Sequence, residues 1–322
     1  MLPNRFPDDG AAPEYNTVDA TLWLFDAVQE YLAASGDLDL AAALWPTLKD
    51  IVAWHERGTR YDIKIDPQDG LLHAGVAGVQ LTWMDAKVGA QVITPRIGKA
   101  VEINALWQHA LRVMVGLAER LDDTTLARDY RARADAHAEQ FNRRFWYAAG
   151  GYLYDVIDTP DGQDDASLRP NQIFAVALGD PLLAAPQRRA VVDVCLRELW
   201  TPFGLRSLGP GDAAYCGRYA GSPERRDAVY HQGTAWSWLL GPMARAHRRV
   251  YGDPAAALAL LTPLAGHLRH TGLGSISEIF DGDAPHAARG CIAQAWSVAT
   301  VLHAWCLLSH AAPAPTYTEI RS

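Results

Sequence analysis

Between Val101 and Leu121 the apolar residues Ile103, Leu106, Trp107, Ala110, Leu111, Met114, Leu117, Ala118 and Leu121 recur three and four positions apart. A strand would need strict alternation, so this spacing predicts a long helix with one apolar stripe. The same period predicts helices at about 19–35, 39–57, 101–121, 124–145, 170–178, 186–199, 227–250, 254–270 and 290–308. They alternate in character. The stretch 234–247 holds Trp236, Trp238, Leu239, Leu240 and Met243 with little polar surface. The stretch 124–145 carries Arg128, Asp129, Arg131, Arg133, Asp135, Glu139, Arg143 and Arg144. The first kind reads as buried nearly all round, the second as showing a charged face to water.

The connections alternate too. Those at 36–38, 122–123, 179–185 and 251–253 are short, and those at 58–100, 146–169, 200–226 and 271–289 are long. Antiparallel neighbours joined this way gather every long loop at one end, and loops beyond about 12–15 residues are usually functional. The architecture this predicts is all-α: an (α/α)6 toroid, inner helices ringed by outer ones. Closure takes about twelve helices and the pattern supplies about nine, so the toroid is expected to be incomplete at the N-terminus. The expected layout is a single domain over 1–310 lacking its first helices, followed by a C-terminal tail at 311–322. An α-solenoid is the rival architecture, but no fixed-period repeat supports it.

Composition narrows the function. The net charge of −8 argues against nucleic acid or an anionic membrane as the main partner. Cys195, Cys216, Cys291 and Cys306 show no CxxC spacing and no histidine cluster, so they are read as buried thiols of a reducing compartment and not as metal ligands. The opening "MLPNRFPDDG" has no apolar core of a signal peptide, and a cytoplasmic location is expected. The uncharged run Cys291–Leu308 is interrupted by Gln294, Ser297, Thr300 and His303, and reads as a buried helix, not a membrane span.

The chemistry-bearing residues fall in the long loops. Loop 58–100 carries Trp83, Asp85, Lys87 and Arg96 and leads into Glu102 and Asn104. Loop 271–289 carries Glu278, Asp281, Asp283, His286 and Arg289 and leads into Gln294. The N-terminal stretch adds Tyr15, Asn16 and Asp19, and "YHQGTAWSW" adds His231, Gln232 and Trp236. Carboxylates, amides, guanidinium groups and aromatic rings over one mouth suit a sugar, whose rim offers hydroxyls and whose faces offer C–H groups. Hydrolysis of a glycoside then needs one protonated and one ionised carboxyl group. Asp85 suits the acid, because apolar Trp83 and Met84 beside it would disfavour its charge; raising an Asp from about 3.9 to about 6 costs roughly 3 kcal/mol. The other reading of Asp85 is a turn cap or a partner of Lys87. Glu278 suits the base; the other readings are a salt bridge to Arg289 or calcium-type ligation. His231 reads equally as a hydroxyl partner or a satisfied core histidine, Trp236 as a stacking ring or as core, and Glu102 as a pocket residue or a holder of Arg96.

The motifs "PNRFPDDGAAPEYNTVDATLW", "TWMDAKVGAQVITPRIGKAVEINALW", "LRPNQIFAV", "TPFGLRSL", "YHQGTAWSWLLGP" and "GSISEIFDGDAPHAARGCIAQAWSV" resemble the C-terminal amylo-α-1,6-glucosidase domain of bacterial and archaeal glycogen debranching enzymes. The resemblance runs from about residue 2 to about residue 308. It implies the (α/α)6 toroid and an inverting hydrolase that releases glucose from α-1,6 branch points of glycogen-like glucan. It implies Asp85 as general acid and Glu278 as general base, about 6.5–9.5 Å apart. It further implies a glucose pocket drawn from Tyr15, Asn16, Asp19, Trp83, Arg96, Glu102, Asn104, His231, Gln232, Trp236 and Gln294, with no cofactor and no metal. The departure is at the N-terminus, where family members carry further helices with a "GRD"-type motif. A missing N-terminal segment or a partner chain is therefore expected, and the rival functions are a glucan-binding or split fragment and another α-glucosidase or trehalase-like activity.

Overall fold

A computed structural model describes residues 1–311. The chain is all-α, with helices α1 (Asp19–Ser35), α2 (Leu38–Arg57), α3 (Val101–Arg120), α4 (Thr124–Phe145), α5 (Phe174–Ala177), α6 (Ala185–Val194), α7 (Pro223–Val229), α8 (Leu240–Tyr251), α9 (Pro254–Ala259), α10 (Leu264–His270) and α11 (Ala295–Ala311). Strands are two or three residues long. The chain divides into two compact units. One is Met1–Val191 with Ala220–His231; the other is Val192–Tyr219 with the chain from Gln232 onward. The tail expected after residue 311 lies outside the described residues.

In the first unit α3 is the centre. The sequence suggested a stripe, yet only Arg112, Gly116, Glu119 and Arg120 of α3 escape burial. Its polar residues Glu102, Asn104, Gln108 and His109 are buried with the rest. Such groups are tolerated only when partnered. α4 packs on α3 through Ala127, Tyr130, Ala134, His137, Phe141 and Phe145, one face of a helix whose other face is charged. Asp123 caps α4 by accepting from Leu126 N at 3.1 Å, and Asp37 caps α2 by accepting from Leu40 N at 3.0 Å. Lys99 is 2% exposed, and its Nζ donates to Asp66, Asp69 and Asp158 at 2.7–2.8 Å. Those three carboxylates are close enough together to hold a metal ion, but the ammonium already bonds all three.

In the second unit α8, α9, α10 and α11 share a core of Leu240, Ala244, Leu261, Leu264, Ile276, Ala304 and Leu308. The Trp238 and Trp296 rings stack at 4.0 Å. An antiparallel sheet follows chain order: Trp200–Thr201, Gly204–Arg206, Ala235–Trp236, Ile279–Phe280, Ala288–Arg289.

Several expected helices end differently. The helix expected at 227–250 is α7, then a turn at Gly233, the strand Ala235–Trp236, a 3-10 turn and α8. Gly233 has φ +134°, which side-chain-bearing residues rarely adopt. The helix expected at 254–270 breaks into α9 and α10 around Pro263, which has no N–H to give. The helix expected at 290–308 begins only at Ala295, because Ala288–Arg289 pairs with Ile279–Phe280. The cysteines are free thiols, but only Cys195 is buried; Cys216 is half-buried, and Cys291 and Cys306 are exposed. Among the described residues no helix is long and apolar enough to cross a membrane.

Candidate active site

Two segments carry the candidate carboxylates, one in each unit. In the first unit Trp83 and Met84 turn inward, 7% and 1% exposed, and Asp85 after them is exposed. The expected desolvation of Asp85 by its two apolar neighbours is therefore not the arrangement found. Lys87, its suggested ion-pair partner, donates to Gly78 O at 3.1 Å. One carboxyl that burial does push up is Asp19; hydrogen bonds from the Thr17 hydroxyl and local main chain partly offset the rise, and the Asp85 charge adds to it.

The Trp83 ring is anchored by a polar chain running inward. Its Nε1 donates to Asn171 Oδ1 at 2.7 Å, and Asn171 Nδ2 donates to Asp155 Oδ1 at 2.7 Å. Asp155 accepts from Arg96 Nε at 2.7 Å and Nη2 at 2.9 Å. The other side of the same guanidinium bonds both oxygens of Glu102, with Nη2 to Oε2 at 2.6 Å. Burial opposes the Arg96 charge, but Asp155 and Glu102 hold it above the ordinary arginine value. Two buried carboxylates share that one cation, and burial, with Asp155 nearby, pushes Glu102 up. Arg96 and Glu102 thus serve as a support beneath Trp83. Asn104 is also spent internally: it accepts from Leu72 N at 2.7 Å and donates to Leu72 O and Ala100 O at 3.0 Å.

His231 is fully buried, edge-on to Trp83 at 5.3 Å. Burial, then Arg169 and Arg96, push its imidazole well below its ordinary value, so it is neutral at pH 7. Its carbonyl accepts from Arg169 Nη1 at 2.8 Å. Tyr15 and Asn16 are half-buried, Tyr15 with the Arg60 guanidinium 5.2 Å from its ring centre.

In the second unit Glu278 lies just before the strand Ile279–Phe280 and is half-buried. Its Oε2 accepts from Cys291 N at 3.0 Å and its Oε1 from Gln294 Nε2 at 3.4 Å. The rival salt bridge to Arg289 is not formed. Arg289 instead holds Asp281, with Nη2 to Oδ2 at 2.9 Å, and Asp281 also accepts from Tyr219 N at 2.9 Å. Asp283 accepts from the Tyr215 hydroxyl at 2.8 Å, so these acids are committed to protein partners and not arranged as a calcium loop. Trp236 is 5% exposed in the middle of the sheet, which favours its reading as core. Gln232 is half-buried and accepts from Cys216 N through its carbonyl at 2.6 Å. The sequence reading passed over Asp155, Arg169 and Asn171. The last two lie in the quoted motif "LRPNQIFAV", whose polar positions inside an apolar run were the available signal.

The match to a known family sets the class of this chain as a glycoside hydrolase. Residues 1–303 match the model of the amylo-alpha-1,6-glucosidase family, and the chain belongs to that family. It is 24% identical over 334 residues to a glycogen debranching enzyme of Saccharomyces cerevisiae, an alignment covering 76% of this chain and 22% of that protein. The chain thus spans about a fifth of the length of that relative. A GH78 family rhamnosidase of Bacillus sp. GL1 is similar in structure, with TM-score 0.57 and 18% identity over 88% of this chain and 26% of that one. A GH63 mannosylglycerate hydrolase from Thermus thermophilus aligns at TM-score 0.47 and 18% identity, over 65% of this chain and 45% of that one. The likeness to the rhamnosidase is one of fold, and it supports the all-α, (α/α)6 class read from the sequence.

Proposed function

We propose that this chain releases glucose from α-1,6 branch points of glycogen-like glucan with inversion of configuration. Asp85 protonates the leaving oxygen and Glu278 takes a proton from the attacking water. Family membership supports the substrate class. The observation that carries the base is the setting of Glu278, whose carboxylate accepts from two N–H groups while Arg289 is diverted to Asp281. Two N–H donors fix the direction of that carboxylate, and a general base must be held within hydrogen-bond reach of the proton it takes. Asp85 is presented outward by a strap whose preceding two residues are locked in the core, so its direction is set by Trp83 and Asn171.

The test is turnover of branched limit dextrin, isomaltose and trehalose by the purified chain. Glucose is expected from limit dextrin, with Asp85→Asn and Glu278→Gln each lowering kcat at least about 100-fold while glucan binding persists. Glucose from trehalose alone, or full activity in either variant, overturns the reading.

A further inference from the structure

Segment 288–294 wraps the carboxylate of Glu278 closely. The strand register sets Ile279 opposite Arg289 and Phe280 opposite Ala288, and Glu278 N donates to Cys291 O at 2.9 Å. This brings Cys291 N to Oε2 and Gln294 Nε2 to Oε1, on the two oxygens of one carboxylate. Gly290 closes the cradle: at φ +64°, a Cβ there would stand 2.3 Å from Oε2. Gln294 is fixed in turn, with its N–H on Ile276 O at 3.0 Å.

We infer that Gln294 is a positioning residue for Glu278, acting with the Gly290–Cys291 main chain to hold the carboxylate in one orientation. This rests on the reading of Glu278 as the general base. It replaces the expectation that Gln294 contacts sugar with a role exercised through another side chain. The amide donates to one oxygen and the main chain to the other, so rotation about the last torsion of Glu278 breaks both bonds at once. The lone pairs not used by these donors are the ones left to accept from water.

Gln294 also precedes α11, and its Oε1 accepts from Trp296 N at 3.4 Å, so a purely structural role must be separated. Gln294→Glu does so. It keeps an acceptor for Trp296 N, but it removes the donor and sets a second negative charge beside Glu278. The experiment measures kcat, KM and their pH dependence on limit dextrin, with thermal unfolding alongside, for Gln294→Glu, Gln294→Ala, Gly290→Ala and Glu278→Gln. Gln294→Glu is expected to unfold at the wild-type temperature and keep its KM. Its kcat falls about 10–100-fold, and the acid limb of its pH profile moves to higher pH. Gly290→Ala, whose methyl displaces Oε2, reproduces the loss of kcat. Wild-type kcat and acid limb in Gln294→Glu, with Glu278→Gln inactive, overturn the positioning role and leave the base assignment standing. Full turnover in Glu278→Gln overturns the base assignment and this inference together.

Discussion

Arg96 bears more than its own charge. It sits between Asp155 and Glu102, all three at most 9% exposed, and Asp155 in turn orients Asn171 and so the Trp83 indole. A buried ion group adds little over an apolar filling, but losing its cation strands the carboxylates in a medium that cannot solvate them. Arg96→Met is therefore expected to cost about 3–5 kcal/mol of unfolding free energy, read by urea titration at pH 7. A loss under about 1 kcal/mol would mean that the network is not sustained in solution. The same geometry separates residues that sequence could rank from those it could not. Glu278 stands out in the sequence as an acid set between Ser277 and apolar Ile279-Phe280 in a long loop. The hold of Glu102 on Arg96, six positions apart, was one of the two readings the sequence offered, whereas the further partners of Arg96 and Asn104, Asp155 and Leu72, are 59 and 32 positions away. Spacing along the chain does not encode such pairings.

At the scale of elements, periodicity found the helices that stand on local pattern. α1, α2, α3 and α4 match their expected spans to within a residue. It failed where a tertiary partner competes. Ala235–Trp236 has the apolar run of a buried helix, but its N–H and C=O groups are claimed by Gly204–Arg206 on one side and Ile279–Phe280 on the other. The switch from α7 to strand needs Gly233, where a Cβ would come within 2.7 Å of Cys216 O. Gly233→Ala is expected to destabilise the chain by about 1–3 kcal/mol through strain, more if the main-chain clash moves the 215–217 segment. An unchanged unfolding midpoint would show that the turn can re-form another way. The candidate base depends on this turn indirectly, because Ala235–Trp236 is the strand that pairs with Ile279–Phe280.

For the whole molecule, pH tests how much of the fold rests on histidines buried in neutral form. His55, His137 and His231 are each at most 3% exposed, and burial lowers each below the ordinary value of 6.5. For His137 burial alone brings it to about 3, and its two ring nitrogens face Gln108 Oε1 at 2.9 Å and Asn104 Oδ1 at 3.3 Å. Below pH 6.5 the unfolded chain binds a proton that folded His137 refuses, so the unfolded state gains. The contribution is whole above pH 6.5 and is lost steadily as pH falls toward 3, at about 1.4 kcal/mol per pH unit. Acids raised by burial, Asp19 and Glu102, change stability in the opposite sense, which makes the wild-type curve alone a poor reporter. The difference between wild type and His137→Gln isolates one group. At pH 7 the variant is expected to be the less stable, since glutamine fills the site imperfectly. Urea unfolding at pH 7, 6 and 5 is then expected to show that gap narrowing as the wild type loses stability and the variant does not. A gap that stays constant down to pH 5 would mean that His137 reaches water in the folded chain and that α3 and α4 are not closed around it.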